Sequence, residues 1–228
     1  MNRTRILIIA AVVVVALVAL GAYVFLGGES GVASENISAP TLEASSQTVF
    51  NIVPEESEVT FALSELLFGT PTSVVGRTED VAGQILVDYE NSSISEVGTI
   101  RINVRTLVTS EDMRNRAIRR AILLSDQPEF EFAEFANTEL SGLPETVTVG
   151  EAFTFEITGD FTLRGITNRI TFAARVTPVS ETEISGSAST VIQRAMYELT
   201  IPNAPGVADV SEDVTLTINF IARAEEPA

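Results

Sequence analysis

From Ile157 to Phe172 the chain reads ITGDFTLRGITNRITF. Ile157, Gly159, Phe161 and Leu163 alternate with polar positions. After the Gly165 turn, Ile170 and Phe172 do the same. Period-two alternation predicts two strands, each with one buried and one wetted face. The pattern recurs through Val59-Phe61-Leu63, Gly83-Ile85-Val87-Tyr89, Ile100-Ile102-Val104, Phe130-Phe132, Phe153-Phe155-Ile157, Phe172-Ala174-Val176, Ile184-Gly186-Ala188 and Val214-Leu216-Ile218-Phe220. Turn residues separate the runs at Asn91-Ser92-Ser93, Ser141-Gly142-Leu143-Pro144 and Pro202 to Gly206. Short successive strands with little helix between them predict an all-β, antiparallel sheet, closed or sandwiched.

One segment departs from that period. Thr109 to Leu124 reads TSEDMRNRAIRRAILL, with Met113, Ala117, Ala121 and Leu124 at helical spacing and Ile118 and Ile122 beside them. It predicts one amphipathic helix, capped by Thr109 or Ser110 and lying on the sheet or across its end. Arg116, Arg119 and Arg120 group on one side of the wheel and are expected to form a solvated face. Arg114 falls among the apolar positions, where a guanidinium needs a partner.

Ile6 to Leu26 is an uncharged run preceded by Arg3 and Arg5. As a helix it would reach about 31 Å, enough to cross a bilayer core. With the positive-inside rule it predicts a single-pass anchor, the amino terminus cytoplasmic and the remainder outside the cell. The alternative is a signal peptide cut after Ala33, which would leave a secreted or periplasmic protein. The expected organisation is a cytoplasmic stub and anchor over 1–28, a flexible linker over 29–47 and one β domain over 48–228.

Composition narrows the chemistry. There is no Cys, no His, no Trp and no Lys. A thiol nucleophile, an imidazole triad and a His-ligated zinc site are therefore excluded. The net charge is −17, and the part after the apolar run carries 12 Arg against 31 acids, a net −19. Such a domain is repelled by nucleic acid and by anionic membrane surfaces.

Several stretches, taken in order, resemble the YceI-like family of polyisoprenoid-binding, lipocalin-like barrels of the bacterial cell envelope. Residues 50–61, FNIVPEESEVTF, resemble its opening strand, and Val81-Ala82-Gly83-Gln84-Ile85 its next Gly-containing strand. Arg114-Asn115-Arg116-Ala117-Ile118-Arg119 is similar to its helix motif, and Gln127 to Phe132 to the strand after it. Gly159 to Thr167, GDFTLRGIT, is similar to its Gly-Asp-Leu-Thr-Leu-His-Gly-Val-Thr. Arg194 to Tyr197, Ile201-Pro202 and Val210 to Val214 resemble its carboxy-terminal pattern. Where that family often has His, this chain has Glu56, Ala117 and Arg164.

The resemblance spans about residues 49–222. It implies a lipocalin-like β-barrel of about eight strands with one short helix near 110–124. It also implies a lipid ligand, such as an isoprenoid quinone, a polyprenyl lipid or a fatty amide, held without a cofactor or covalent chemistry. Phe61, Leu63, Ile102, Phe132, Phe155 and Phe161 are packed core on one reading and cavity lining on the other. Met113, Ile118 and Ile122 are expected to face the interior from the helix. Arg114 is the first polar candidate, as a head-group contact or a structural ion pair, with Arg194 and Tyr197 behind it. Two other functions remain open at this stage: an interaction module with a filled barrel, and a lipid-modifying enzyme built on carboxylates.

Overall fold

The computed structural model describes Val18, residues 32–44 and residues 47–224. The predicted span Ile6–Leu26, Val18 apart, lies outside the described residues. No helix among those described is long and apolar enough to cross a membrane.

Thirteen strands are described: β1 (Thr48–Ile52), β2 (Glu58–Leu67), β3 (Thr70–Thr78), β4 (Val81–Ala82), β5 (Gln84–Val87), β6 (Glu96–Val97), β7 (Ile100–Asn103), β8 (Phe132–Ser141), β9 (Phe153–Leu163), β10 (Ile166–Ser180), β11 (Glu183–Gln193), β12 (Val207–Ala208) and β13 (Asp213–Ala224). They form one curled antiparallel sheet in the order β4-β7-β8-β9-β10-β11-β13-β1-β5-β6. Near its start β13 pairs with β2, Thr215 to Ala62 through Asn219 to Glu58, and near its end with β1. β2 carries β3 on its other side and β12 at its far end. β4 and β5 stand near the two ends of the main order yet are separated in the chain by Gly83 alone. The curl therefore returns on itself at that glycine.

Alternation sets the inner face as the sequence predicts over most of the sheet. In β9, Ile157, Gly159, Phe161 and Leu163 are buried. In β13, Val214 and Phe220 are buried, with Leu216 and Ile218 packed against the same core. Register holds from strand to strand, Phe161 opposite Phe135 and Asn168, and Phe172 opposite Ile157.

β8 differs from expectation by one residue. Pro128–Phe130 forms a 3-10 turn, so the strand starts at Phe132 and its buried positions are Ala133 and Phe135. Phe132 lies on the other face, where the Arg101 guanidinium sits 5.0 Å from its ring centroid. Further along β8, the pairing with β9 slips between Ala136 and Glu139, where Asn137 takes φ 52°. Gln84 and Leu86 are also buried, although they alternate with Ile85 and Val87. The Leu42 side chain and backbone reach this part of the sheet: Leu42 N donates to Gln84 Oε1 at 2.6 Å, and Leu42 Cγ and Cδ1 approach Gly98.

The predicted helix is shorter and irregular. α1 (Asp112–Ala117) passes into a π turn over Ile118–Ile122, closed by Leu123 N donating to Ile118 O. Thr109 and Ser110 do not cap it. Glu111 holds that position with no side-chain cap, and the Asn115 amide oxygen accepts from the Thr109 backbone and hydroxyl instead. Arg120 is buried, and Arg116 and Arg119 are half-buried, so the expected solvated arginine face is not what forms.

Residues 32–44, expected to belong to a flexible linker, lie along the outside of the sheet. Arg105 Nη1 donates to Val32 O at 2.8 Å, Ser34 N to Glu131 Oε1 at 2.7 Å, and Arg101 Nη1 to Ser38 O at 3.2 Å. Their receptor is a buried polar cluster. Arg105 and Glu131 pair at 3.2 Å, Asn103 Nδ2 donates to Glu131 Oε1, and Arg105 Nε donates to Ser125 O.

Candidate ligand cavity

The inner face of the curl surrounds empty space rather than meeting itself. The cavity has a volume of about 1030 Å³ and is lined almost wholly by aliphatic and aromatic side chains. Phe61 and Leu63 enter it from β2, Ile102 from β7, Phe155 and Phe161 from β9, and Met113, Arg114, Ile118 and Ile122 from the helix. Of the twelve residues the sequence singles out, ten line it, Arg194 included. Phe132 and Tyr197 do not. Phe132 sits outside under Arg101. Tyr197 is fully buried in the 3-10 turn Arg194–Tyr197, its ring edge-on to Phe161 at 5.6 Å. Burial pushes its phenol up to about 12.

Met113 lines the rim but does not point wholly inward, being 57% exposed. The sequence reading missed Glu65, Phe68, Val74 and Phe135 as lining residues. Phe68 and its neighbours lie in a turn, where no period marks the inner face. Glu65 continues the inner set of β2 after Phe61 and Leu63, and a carboxylate hides that membership.

The two arginines of the cavity wall are paired. Arg114 Nη2 meets Glu65 Oε1 at 2.7 Å, and Glu65 is buried. Arg194 bonds Glu212 at 2.6 Å and donates to the carbonyls of Ser211, Leu199 and Val210, so it clasps the chain between Leu199 and Glu212. Arg164, at φ 51°, donates to Ile122 O and Glu198 O and joins the β9–β10 turn to the helix. Glu56 is bound to Arg223 at 2.6 Å on the surface, and that guanidinium holds its carboxyl below the usual range. Ala117 is buried and lines the cavity. Thus, of the three positions where the resemblance expects His, only Ala117 borders the cavity, and it carries no polar atom in its side chain. Asp160 accepts from Asn137 and Arg169, which lower its pKa, and serves as a surface clasp between strands. No group of three or more acids among the described residues is placed to hold a metal.

The family model for the YceI-like domain matches residues 50–222, most of the chain and every residue of the cavity wall except Val18. The chain belongs to the YceI-like family. Solved structures agree on the fold of this YceI-like domain. It is similar to a polyisoprenoid-binding domain from Saccharophagus degradans implicated in plant cell wall breakdown, with TM-score 0.61 and 17% identity over 79% of this chain and 100% of that one. It is similar to BcnA from Burkholderia cenocepacia, with TM-score 0.58 and 14% identity over 75% and 98%. It is also similar to a Campylobacter jejuni YceI protein, with TM-score 0.52 and 15% identity over 67% and 85%. No curated protein matches the sequence.

Proposed function

We propose that this chain is a membrane-tethered, extracytoplasmic lipid-binding protein that holds a polyisoprenoid or other long-chain amphiphile inside its barrel. The observation that carries this reading is the cavity. Its volume of about 1030 Å³ stands at the upper end of the roughly 300–1,000 Å³ of small-molecule sites. Its wall offers long apolar contact and almost no hydrogen-bonding groups. A flexible hydrocarbon gains from leaving water there, while a polar metabolite would lose its hydration without replacement. An interaction module with a filled barrel gains nothing from such a space. A carboxylate enzyme finds only Glu65 and Glu111 among the acids of the wall, and Glu65 is already neutralised by Arg114.

The tether is the uncharged run Ile6–Leu26 behind Arg3 and Arg5. Exchange of the ligand needs no bond to be made or broken, so the role is storage, sequestration or transfer. The test is mass spectrometry of lipid that co-purifies with the full chain, set beside variants that fill the wall, Ala174→Trp and Ala188→Trp. A polyisoprenoid or acyl species carried by the parent and lost from folded variants supports the reading. Equal lipid in all three chains, or none in the parent even after incubation with polyprenyl and acyl lipids, overturns it.

A further inference from the structure

The cavity opens toward one end of the sheet, and that end has a distinct chemistry. Within residues 47–224, the exposed residues of the lining are Phe68, Glu111, Met113 and Pro205. All belong to the β2–β3 turn, the start of the helix or the loop after Leu199. In a chain with 31 acids, residues 66–76 and 199–208 carry no charged side chain. Phe68 stands at the tip of the β2–β3 turn and is 80% exposed. It is held there rather than left to swing. Its backbone takes φ 49°, its N–H donates to Gly206 O at 2.6 Å, and its ring covers Gly206 so closely that a Cβ there would lie 2.4 Å away.

The chain also enters from this end. Val32 O is held by Arg105, one residue after the cavity-lining Val104, and Arg105 is bonded to Ser125 just past the π turn. From there residues 32–44 descend past Arg101 to Gln84. Five residues separate Leu26 from Val32. Six Cα steps reach at most about 20 Å. A bilayer spanned by Ile6–Leu26 would therefore lie close to the open end and not to the far one.

We propose that the cavity mouth docks on the lipid bilayer, with Phe68 and Met113 entering the surface of a zwitterionic leaflet and residues 32–44 acting as the strap that fixes this orientation. This rests on the anchor in the reading above. An exposed aromatic and a methionine beside uncharged loops suit an interfacial contact. The net −19 of the exported part disfavours an anionic leaflet. A ligand could then pass between leaflet and cavity without crossing water.

The chain has no Trp, so single-Trp variants report cleanly. Phe68→Trp and Met113→Trp mark the mouth. Val149→Trp marks the far end, since Val149 is exposed and next to Gly150, which bonds Pro178 late in β10. Each full-length variant is reconstituted into phosphatidylcholine vesicles with plain or brominated acyl chains, and flotation is measured alongside. The expected result is about twofold quenching at both mouth positions, as for side chains about 5–10 Å into the boundary, and no change at Val149→Trp. Flotation with no quenching at either mouth position, or with equal quenching at all three, overturns the docking and leaves the anchor standing. Failure to float overturns both.

Discussion

Arg114 of α1 and Glu65 of β2 meet at 2.7 Å beside the cavity mouth, the guanidinium 19% exposed and the carboxylate 6%. The pair ties the helix to the protruding β2–β3 hairpin and removes the one charge that β2 would otherwise aim into an apolar space. Arg114→Ala leaves Glu65 buried without its cation. Breaking such a pair from one side costs about 3 kcal/mol, while replacing both partners with apolar groups is often close to neutral. Urea unfolding should therefore find Arg114→Ala strongly destabilised and Arg114→Met combined with Glu65→Leu mostly restored. A double variant as weak as the single one would contradict this account.

Two glycines on the inner face predict different outcomes. A Cβ at Gly159 would lie 2.7 Å from the Phe135 ring and 2.9 Å from the Ala136 carbonyl oxygen, which is backbone and cannot yield. Gly159→Ala should lose about 1–3 kcal/mol by overpacking. At Gly76 the three nearest atoms all belong to the Phe61 ring, the first 2.1 Å from the added carbon, and Phe61 borders open space. Gly76→Ala should push that ring into the cavity, costing less stability than Gly159→Ala and weakening lipid uptake. Thermal unfolding and lipid loading of the two variants check the contrast.

The strands were legible because burial on one face leaves a period of two, and Phe153 through Leu163 shows it without interruption. The same rule failed at Phe132 because a 3-10 turn resets the phase just before the strand begins. The helix was visible as a period but not its length, since a π turn keeps apolar residues at plausible spacing while changing the hydrogen bonds. The Arg105–Glu131 pair left no trace in the sequence. Its partners are distant in the chain, and what makes them a site is the backbone of Val32 and Ser34 laid over them. Phe68 shows the same limit: a turn has no repeating pattern, so its place at a rim emerges only when the hairpin is built.

Hydrogen exchange resolves the two fastenings of residues 32–44. The amides of Ser34 and Leu42 each donate to a side chain, Glu131 and Gln84 respectively, and should be protected in the parent chain. Glu131→Gln should speed exchange at Ser34 more than at Leu42, and Gln84→Ala the reverse. Fast exchange at both amides in the parent would mean that the strap does not hold.

Tyr197 gives the fold an alkaline limit. Burial raises its phenol from 10.0 to about 12. The unfolded chain thus releases this proton first, and stability falls as pH rises from 10.0 toward about 12. Tyr197→Phe removes that loss. Urea midpoints measured across this window should fall less steeply for the variant, and parallel slopes would refute the assignment.

β3 pairs with β2 along one side, and on its other side the described bridge is Arg77 to Val108. Most of its outer backbone is therefore an open edge, the kind of surface on which a foreign strand can lengthen a sheet. Pro71 lies on it without an N–H to offer, Arg77 places a charge near its end, and Gly76 weakens the strand between them. Among the described strands, the one long unpaired ladder thus carries residues that discourage aggregation.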